Sequence, residues 1–235
     1  MPQQDRGERP LVVFVHGYSC SWRHWADARP RLSDRYDVLL VSLPGHGTPL
    51  GRSGRLDFAD CVAYIIAQVA ERDRDQVLLA GHSLGGMLGI TCVHQRPDLF
   101  AALILVDAFP RLRLPHPFDK SFWDGTPPVL KSRIVREMME TRRGLPDSLW
   151  ESVAGFDGRP LLAEIRRPVR GFYGDRGEED HPALAKSLRE AGLGVAPDLG
   201  LHLISRAGHF VMLEQPDAFY AGLGEVLADL SAHSA

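Results

Sequence analysis

Several features that would place a protein in a particular setting are scarce here. The 235-residue chain has three cysteines, Cys20, Cys61 and Cys92. They are odd in number, widely spaced and without a Cys-x-x-Cys pair, which argues against a disulfide framework and leaves buried free thiols as the expectation. No apolar run reaches the length of a membrane span. The polar stretch Met1–Pro10 carries no apolar core of a secretory signal, so a cytoplasmic location is expected. There is no long run of one charge sign. The net charge of −3 comes without the basic stripe of a nucleic-acid binder and gives no hint of a membrane-surface role. Internal repeats and low-complexity tracts are missing as well.

What is present is ordinary globular material, 44% hydrophobic and 24% charged, ample for a core. The length fits one large α/β domain over residues 1–235 better than two small ones. The apolar segments are short and continuous rather than alternating: Leu11–Val15, Val38–Leu43, Val77–Ala80, Ala101–Val106, Val169–Tyr173 and Leu201–Ser205. Such runs suit strands buried on both faces of a parallel sheet. Between them, Phe58–Glu71, Leu84–Gln95, Pro182–Ala191 and Asp217–Leu230 have helical spacing. The alternation predicts a doubly wound, mostly parallel sheet with right-handed crossovers. Residues 110–167 break the alternation. They hold seven prolines, no convincing strand and helical patches such as Val129–Thr141. A long insertion of this kind is usually functional or disordered, and its aromatics argue against disorder. The expectation is a small helical lid inserted after the strand that ends before Asp107.

The chemistry starts at Gly81-His82-Ser83-Leu84-Gly85. A predicted buried strand runs into Gly-x-Ser-x-Gly and a helix begins at once. The glycines permit a tight turn that pushes the serine outward, near a helix N-terminus that favours developing negative charge. Ser83 is the candidate nucleophile. A serine hydroxyl needs a base. Of the ten histidines, His209 has the best context, between the last predicted strand and the last helix. His82 adjoins the serine but should point away from it, and His16 should shape its own turn. An oxyanion hole needs two backbone donors. Leu84, directly after the serine, should give one, and Tyr18, in Val15-His16-Gly17-Tyr18, the other. Pro44-Gly45-His46-Gly47 reads as a structural turn.

His16-Gly17-Tyr18, Leu43-Pro44-Gly45-His46-Gly47, Gly81-His82-Ser83-Leu84-Gly85-Gly86 and Gly208-His209-Phe210, in that order, resemble the α/β-hydrolase superfamily from Leu11 to Leu230. The resemblance implies a triad in the chain order serine, acid, histidine, and neither a metal nor an organic cofactor. One departure is that a β-hairpin ahead of the first strand, common among members, is expected to be absent or shortened. A second concerns the acid. Many relatives carry Gly-x-x-Asp after the strand matching Val169–Tyr173. Counting from Gly174, that aspartate position holds Gly177. Asp175 or Glu178 could substitute through a shifted loop. Asp107 is the favoured alternative, at the carboxyl end of the preceding strand, where α/β sheets bind ligands. Thioesterase domains of polyketide and peptide synthases and some lactonases place the acid after this strand.

The resulting expectation is hydrolysis of a carboxylic ester or thioester of a small acyl substrate through an acyl-enzyme, by a monomer or homodimer. Phe118, Phe122, Trp123, Trp150 and Phe156 of the insertion could line an apolar pocket. Lactonases, carbon–carbon bond hydrolases and biosynthetic cyclases share the scaffold, as does a non-catalytic ligand-binding protein of this fold. Haloalkane dehalogenation is disfavoured, because it needs an aspartate where Ser83 stands.

Overall fold

The computed structural model describes residues 9–48, 50, 54–74, 77–112, 123 and 126–232. Phe118 and Phe122 lie outside the described residues. Six strands form one sheet: β1 (Leu11–Val15), β2 (Asp37–Val41), β3 (Val77–His82), β4 (Phe100–Val106), β5 (Val169–Gly174) and β6 (Leu199–Ile204). Their spatial order is β2-β1-β3-β4-β5-β6, and every pair is parallel.

The continuous apolar runs have a direct explanation in this sheet. Along β1, Leu11, Val13 and Val15 enter one core, while Val12 and Phe14 enter the other. Successive side chains point to opposite faces, and both faces are covered. The helices α2 (Phe58–Ala70) and α3 (Leu84–Gln95) cover the first face, and α9 (Pro216–Ala232) covers the second. Helix α2 begins where Asp57 and Asp60 cap each other, each carboxylate accepting the other's backbone N–H at 3.0 and 2.9 Å. Such a reciprocal cap satisfies two amides that the first turn cannot.

Two strands are displaced from their predicted positions. The second is expected to run to Leu43 but ends at Val41, because the Leu43 N–H leaves the ladder and donates to His16 Nε2 at 3.1 Å. The sixth is expected from Leu201 but begins at Leu199, since Leu199 and Gly200 pair with Val169 and Arg170. Gly200 carries no apolar signal, so its strand character is set by the partner strand.

Among the described residues between β4 and β5 lie three α-helices, α4 (Pro128–Arg142), α5 (Asp147–Ala154) and α6 (Arg159–Glu164). Ile134 of α4 joins the core on the α9 face, whereas Leu149, Val153 and Leu162 join the opposite one. The Ser148 and Ser152 hydroxyls tie α5 to the entry of α2: Ser148 donates to the Leu56 carbonyl at 2.7 Å and Ser152 accepts the Phe58 N–H at 2.9 Å. Among the described residues the other α-helices are α1 (Ala28–Leu32), α7 (His181–Glu190) and α8 (Val211–Glu214), and 3-10 turns lie at Trp22–Trp25 and Leu193–Val195. No helix among the described residues is long and apolar enough to cross a membrane.

Candidate active site

The strand order reverses between β1 and β3, and the crevice beyond their carboxyl ends is where open α/β sheets bind ligands. Ser83 follows β3 there with φ of 51° and ψ of −116°. For a residue with a Cβ, this backbone costs on the order of 1–3 kcal/mol and persists only where its surroundings enforce it. Those surroundings are backbone contacts that two glycines allow. A Cβ on Gly81 would lie 2.3 Å from the Gly85 carbonyl, and one on Gly85 would lie 2.3 Å from Val15 O. The Ser83 N–H donates to Val106 O at 3.1 Å, and its carbonyl accepts from Gly86 and Met87 at 3.0 and 3.2 Å. Helix α3 thus starts at once. Leu84, its first residue, has an amide that the helix itself does not use. Gly85→Ala is expected to push α3 away from β1 at a cost of about 3 kcal/mol. Thermal unfolding should therefore show a Tm lower by roughly 10 °C.

The loop after β1 presses against this turn. A Cβ on Gly17 would meet His82 Nδ1 at 3.0 Å and the Ser83 Cβ at 3.2 Å. His16 braces the loop, donating Nδ1–H to Gly17 O at 2.9 Å while its Nε2 accepts from Leu43. Tyr18 comes next. Its ring packs on Trp150 of α5 at 5.1 Å, with the Arg142 guanidinium 5.8 Å from it. Burial raises the Tyr18 pKa, opposed by Arg142 and assisted by Asp147. The amides of Tyr18 and Leu84 thus belong to two segments in van der Waals contact beside Ser83.

Asp107 follows β4 with φ of 42° and is 1% exposed. Its N–H donates to Phe172 O at 2.8 Å, which fixes the backbone against β5. His209 follows β6 and is also buried. Its Nδ1–H donates to Asp107 Oδ2 at 2.6 Å, across 102 residues of sequence. The same oxygen accepts from Arg176 Nη2 at 2.6 Å. Burial pushes the Asp107 pKa up. The Arg176 charge, with the hydrogen bond and charge of His209, reverses this and leaves the net shift downward.

The other two candidate carboxylates are held elsewhere. Asp175 turns back into its own loop, accepting the N–H of Gly177 at 3.0 Å and of Arg206 at 2.8 Å, with His181 Nε2 at 3.4 Å. Glu178 is exposed and accepts the Asp180 N–H at 3.3 Å. Of the three, Asp107 is the one that the structure brings to His209.

Two residues that sequence reasoning passed over support the histidine. His82 does point away from the serine turn, and it lies beneath His209. Its Nε2–H donates to the His209 carbonyl at 2.9 Å, and the two ring centroids are 4.6 Å apart. Burial, followed by the neighbouring His209, holds the His82 pKa well below its ordinary value, so this ring stays uncharged. Glu214 of α8 grips the loop from the other side, accepting the N–H of Gly208 and of Phe210 and the Thr126 hydroxyl. A glutamate five residues after the histidine is visible in the sequence, but nothing in the sequence says that it folds back.

A small pocket opens at Ser83, lined by Met87, Asp107, Ala108, Phe109, Arg111 and Leu112. The described aromatics of the insertion lie outside that lining. Trp123 stacks on Phe210 with centroids 5.6 Å apart, Phe156 stacks on Phe58 at 4.3 Å, and Trp150 covers Tyr18. Trp123 and Phe156 fill gaps between elements, because a flat ring buries most area against another ring. Among the described residues no group of three or more His, Cys, Asp or Glu side chains is arranged to hold a metal ion.

A strained serine between strand and helix, with a buried histidine–aspartate pair at the same edge of a parallel sheet, defines an α/β-hydrolase-type enzyme. A sequence model described as the alpha/beta hydrolase family matches residues 12–222, and the chain belongs to that family. It is 29% identical over 228 residues to the pimeloyl-[acyl-carrier protein] methyl ester esterase of Methylococcus capsulatus, covering 92% of this chain and 83% of that protein. It is 32% identical to the 2-(acetamidomethylene)succinate hydrolase of Mesorhizobium japonicum over 110 residues, which span 46% of this chain and 38% of that one. Among solved structures, MenH from S. aureus superposes with a TM-score of 0.72 at 18% identity, covering 97% of both chains.

Proposed function

We propose that the protein hydrolyses a carboxylic ester or thioester through an acyl-enzyme on Ser83. The observation that carries this reading is the 2.6 Å hydrogen bond from His209 Nδ1 to the buried Asp107 carboxylate, beside the Ser83 turn. A carboxylate only accepts, so the proton sits on Nδ1 and Nε2 keeps its lone pair. That tautomer lets His209 take the Ser83 proton as the oxygen attacks the acyl carbon. The tetrahedral oxyanion is held by the amides of Leu84 and Tyr18. Collapse expels the alcohol or thiol, which leaves with the proton from His209 Nε2. Water then repeats the cycle on the acyl-serine, and the carboxylic acid departs. The helices α4 and α5 form the lid over this crevice, since Arg142 and Trp150 both rest on Tyr18. Similarity to a methyl ester esterase over most of the chain supports the ester reading.

Rapid mixing with p-nitrophenyl esters of short acids should give a stoichiometric burst of nitrophenolate before the steady state. Mass spectrometry of the quenched protein should find the acyl group on the peptide that contains Ser83. No burst and no adduct across oxygen esters and acyl thioesters would overturn the reading.

A further inference from the structure

Arg176 has no part in the triad chemistry, yet its guanidinium touches the carboxylate that holds His209. It lies two residues beyond β5, in the loop where the common family pattern has its acid. Its backbone conformation and two hydrogen bonds fix it. Its φ is 53°, its N–H donates to Ala207 O at 2.9 Å, and its Nη1 donates to Gly174 O at 3.0 Å. The loop is therefore locked onto the turn that carries His209, and Nη2 reaches Asp107 across 69 residues of sequence. Asp107 Oδ1 is buried with no hydrogen-bond partner among the described residues, and the bonds from Arg176 and His209 both fall on Oδ2. An ionised carboxylate this deeply buried is costly unless a cation compensates it. A neutral imidazole supplies one hydrogen bond and no charge.

We propose that Arg176 is a positioning residue. It keeps Asp107 ionised with Oδ2 turned to His209, and its charge balances that of the buried carboxylate which the imidazole meets. The inference rests on the roles given above to Ser83, His209 and Asp107. Among the described residues, charged and titratable groups face His209 from several elements. They are Asp107 after β4, Arg176 after β5, His82 on β3, Glu214 on α8, and His24 of the 3-10 turn, which meets Phe210 edge-on at 5.7 Å. Burial lowers the pKa of both His82 and His24 and raises that of Glu214. None of these three bonds the imidazole nitrogen that Asp107 holds, and Arg176 is the cation that bonds Asp107 there.

The test compares wild type, Arg176→Gln and Arg176→Lys in two ways. One is the pH profile of kcat/KM for a p-nitrophenyl ester. The other is the low-field proton resonance of His209 Nδ1–H in the resting enzyme. Removing the cation in Arg176→Gln should move the acid limb to higher pH by about one unit, with about a tenfold loss of rate below it. Arg176→Lys should return the limb to its wild-type place. The resonance should follow the same order without any turnover. A limb and resonance unmoved in Arg176→Gln, or a lysine variant that behaves like the glutamine one, would overturn the proposal. If glutamine prevents folding, the lysine variant decides alone: a limb displaced from wild type despite the retained charge counts against it. An enzyme with no Ser83-dependent turnover whose resonance still responds would remove the functional reading and leave the role of Arg176 standing.

Discussion

Ser83→Ala lowers kcat by about a millionfold, the size of loss seen when an acyl-transfer serine is removed from a triad that acts as one unit. The fold survives this change. The strain at Ser83 comes from a Cβ at φ of 51°, and alanine keeps the same Cβ. Ser83→Gly separates the two effects. It abolishes turnover equally, but glycine adopts positive φ without the steric cost, so the protein becomes more stable by about 1 kcal/mol. Steady-state rates with a p-nitrophenyl ester, set beside thermal melts of the three proteins, check both statements. Retained turnover in the alanine variant would remove Ser83 from the mechanism. A glycine variant less stable than wild type would show that the turn is not strained.

Asp107→Asn comes second, with an expected loss in kcat of about ten-thousandfold. The amide can present an N–H to His209 Nδ1, which favours the tautomer with its proton on Nε2, where it blocks the serine. Arg176 loses an anion but keeps the Gly174 carbonyl, and its side chain is 28% exposed. Water can therefore solvate it, and the variant folds. Asp175→Asn and Glu178→Gln are the controls. Near-normal activity in Asp107→Asn, with a large loss in either control, would transfer the acid to the loop after β5.

The fold is readable in the sequence because a strand buried on both faces leaves a largely apolar run, continuous in β1 and β4 and broken by Arg170 in β5 and His202 in β6. The serine turn is equally visible, since close backbone contacts at Gly81 and Gly85 require glycine and leave a local pattern. The acid is a different case. Asp107, Asp175 and Glu178 all stand near strand ends, and local sequence gives each a reason to be there. What separates them is direction. Asp175 is held by the N–H groups of Gly177 and Arg206, one of them on a distant segment. The Arg176–Asp107 contact is invisible for the same reason, since it depends on which loops the sheet order brings together. The aromatics of the insertion are legible as apolar but not as to which surface they cover, so Trp123 and Phe156 read as pocket walls when they are packing.

The sheet order has one more consequence. The groups proposed for the chemistry, with the positioning residue Arg176, follow adjacent strands in spatial sequence: Tyr18 after β1, Ser83 after β3, Asp107 after β4, Arg176 after β5 and His209 after β6. The first strands in that series are central and fully buried, whereas β6 is an edge strand that is mostly half-buried. Edge elements with few buried contacts open at lower free energy than the centre of a sheet. The base therefore rides on the part of the sheet that frays first. Warming is therefore expected to loosen the β6 end of the site before the centre of the sheet, so that activity measured after brief heating falls at a lower temperature than the Tm of global unfolding.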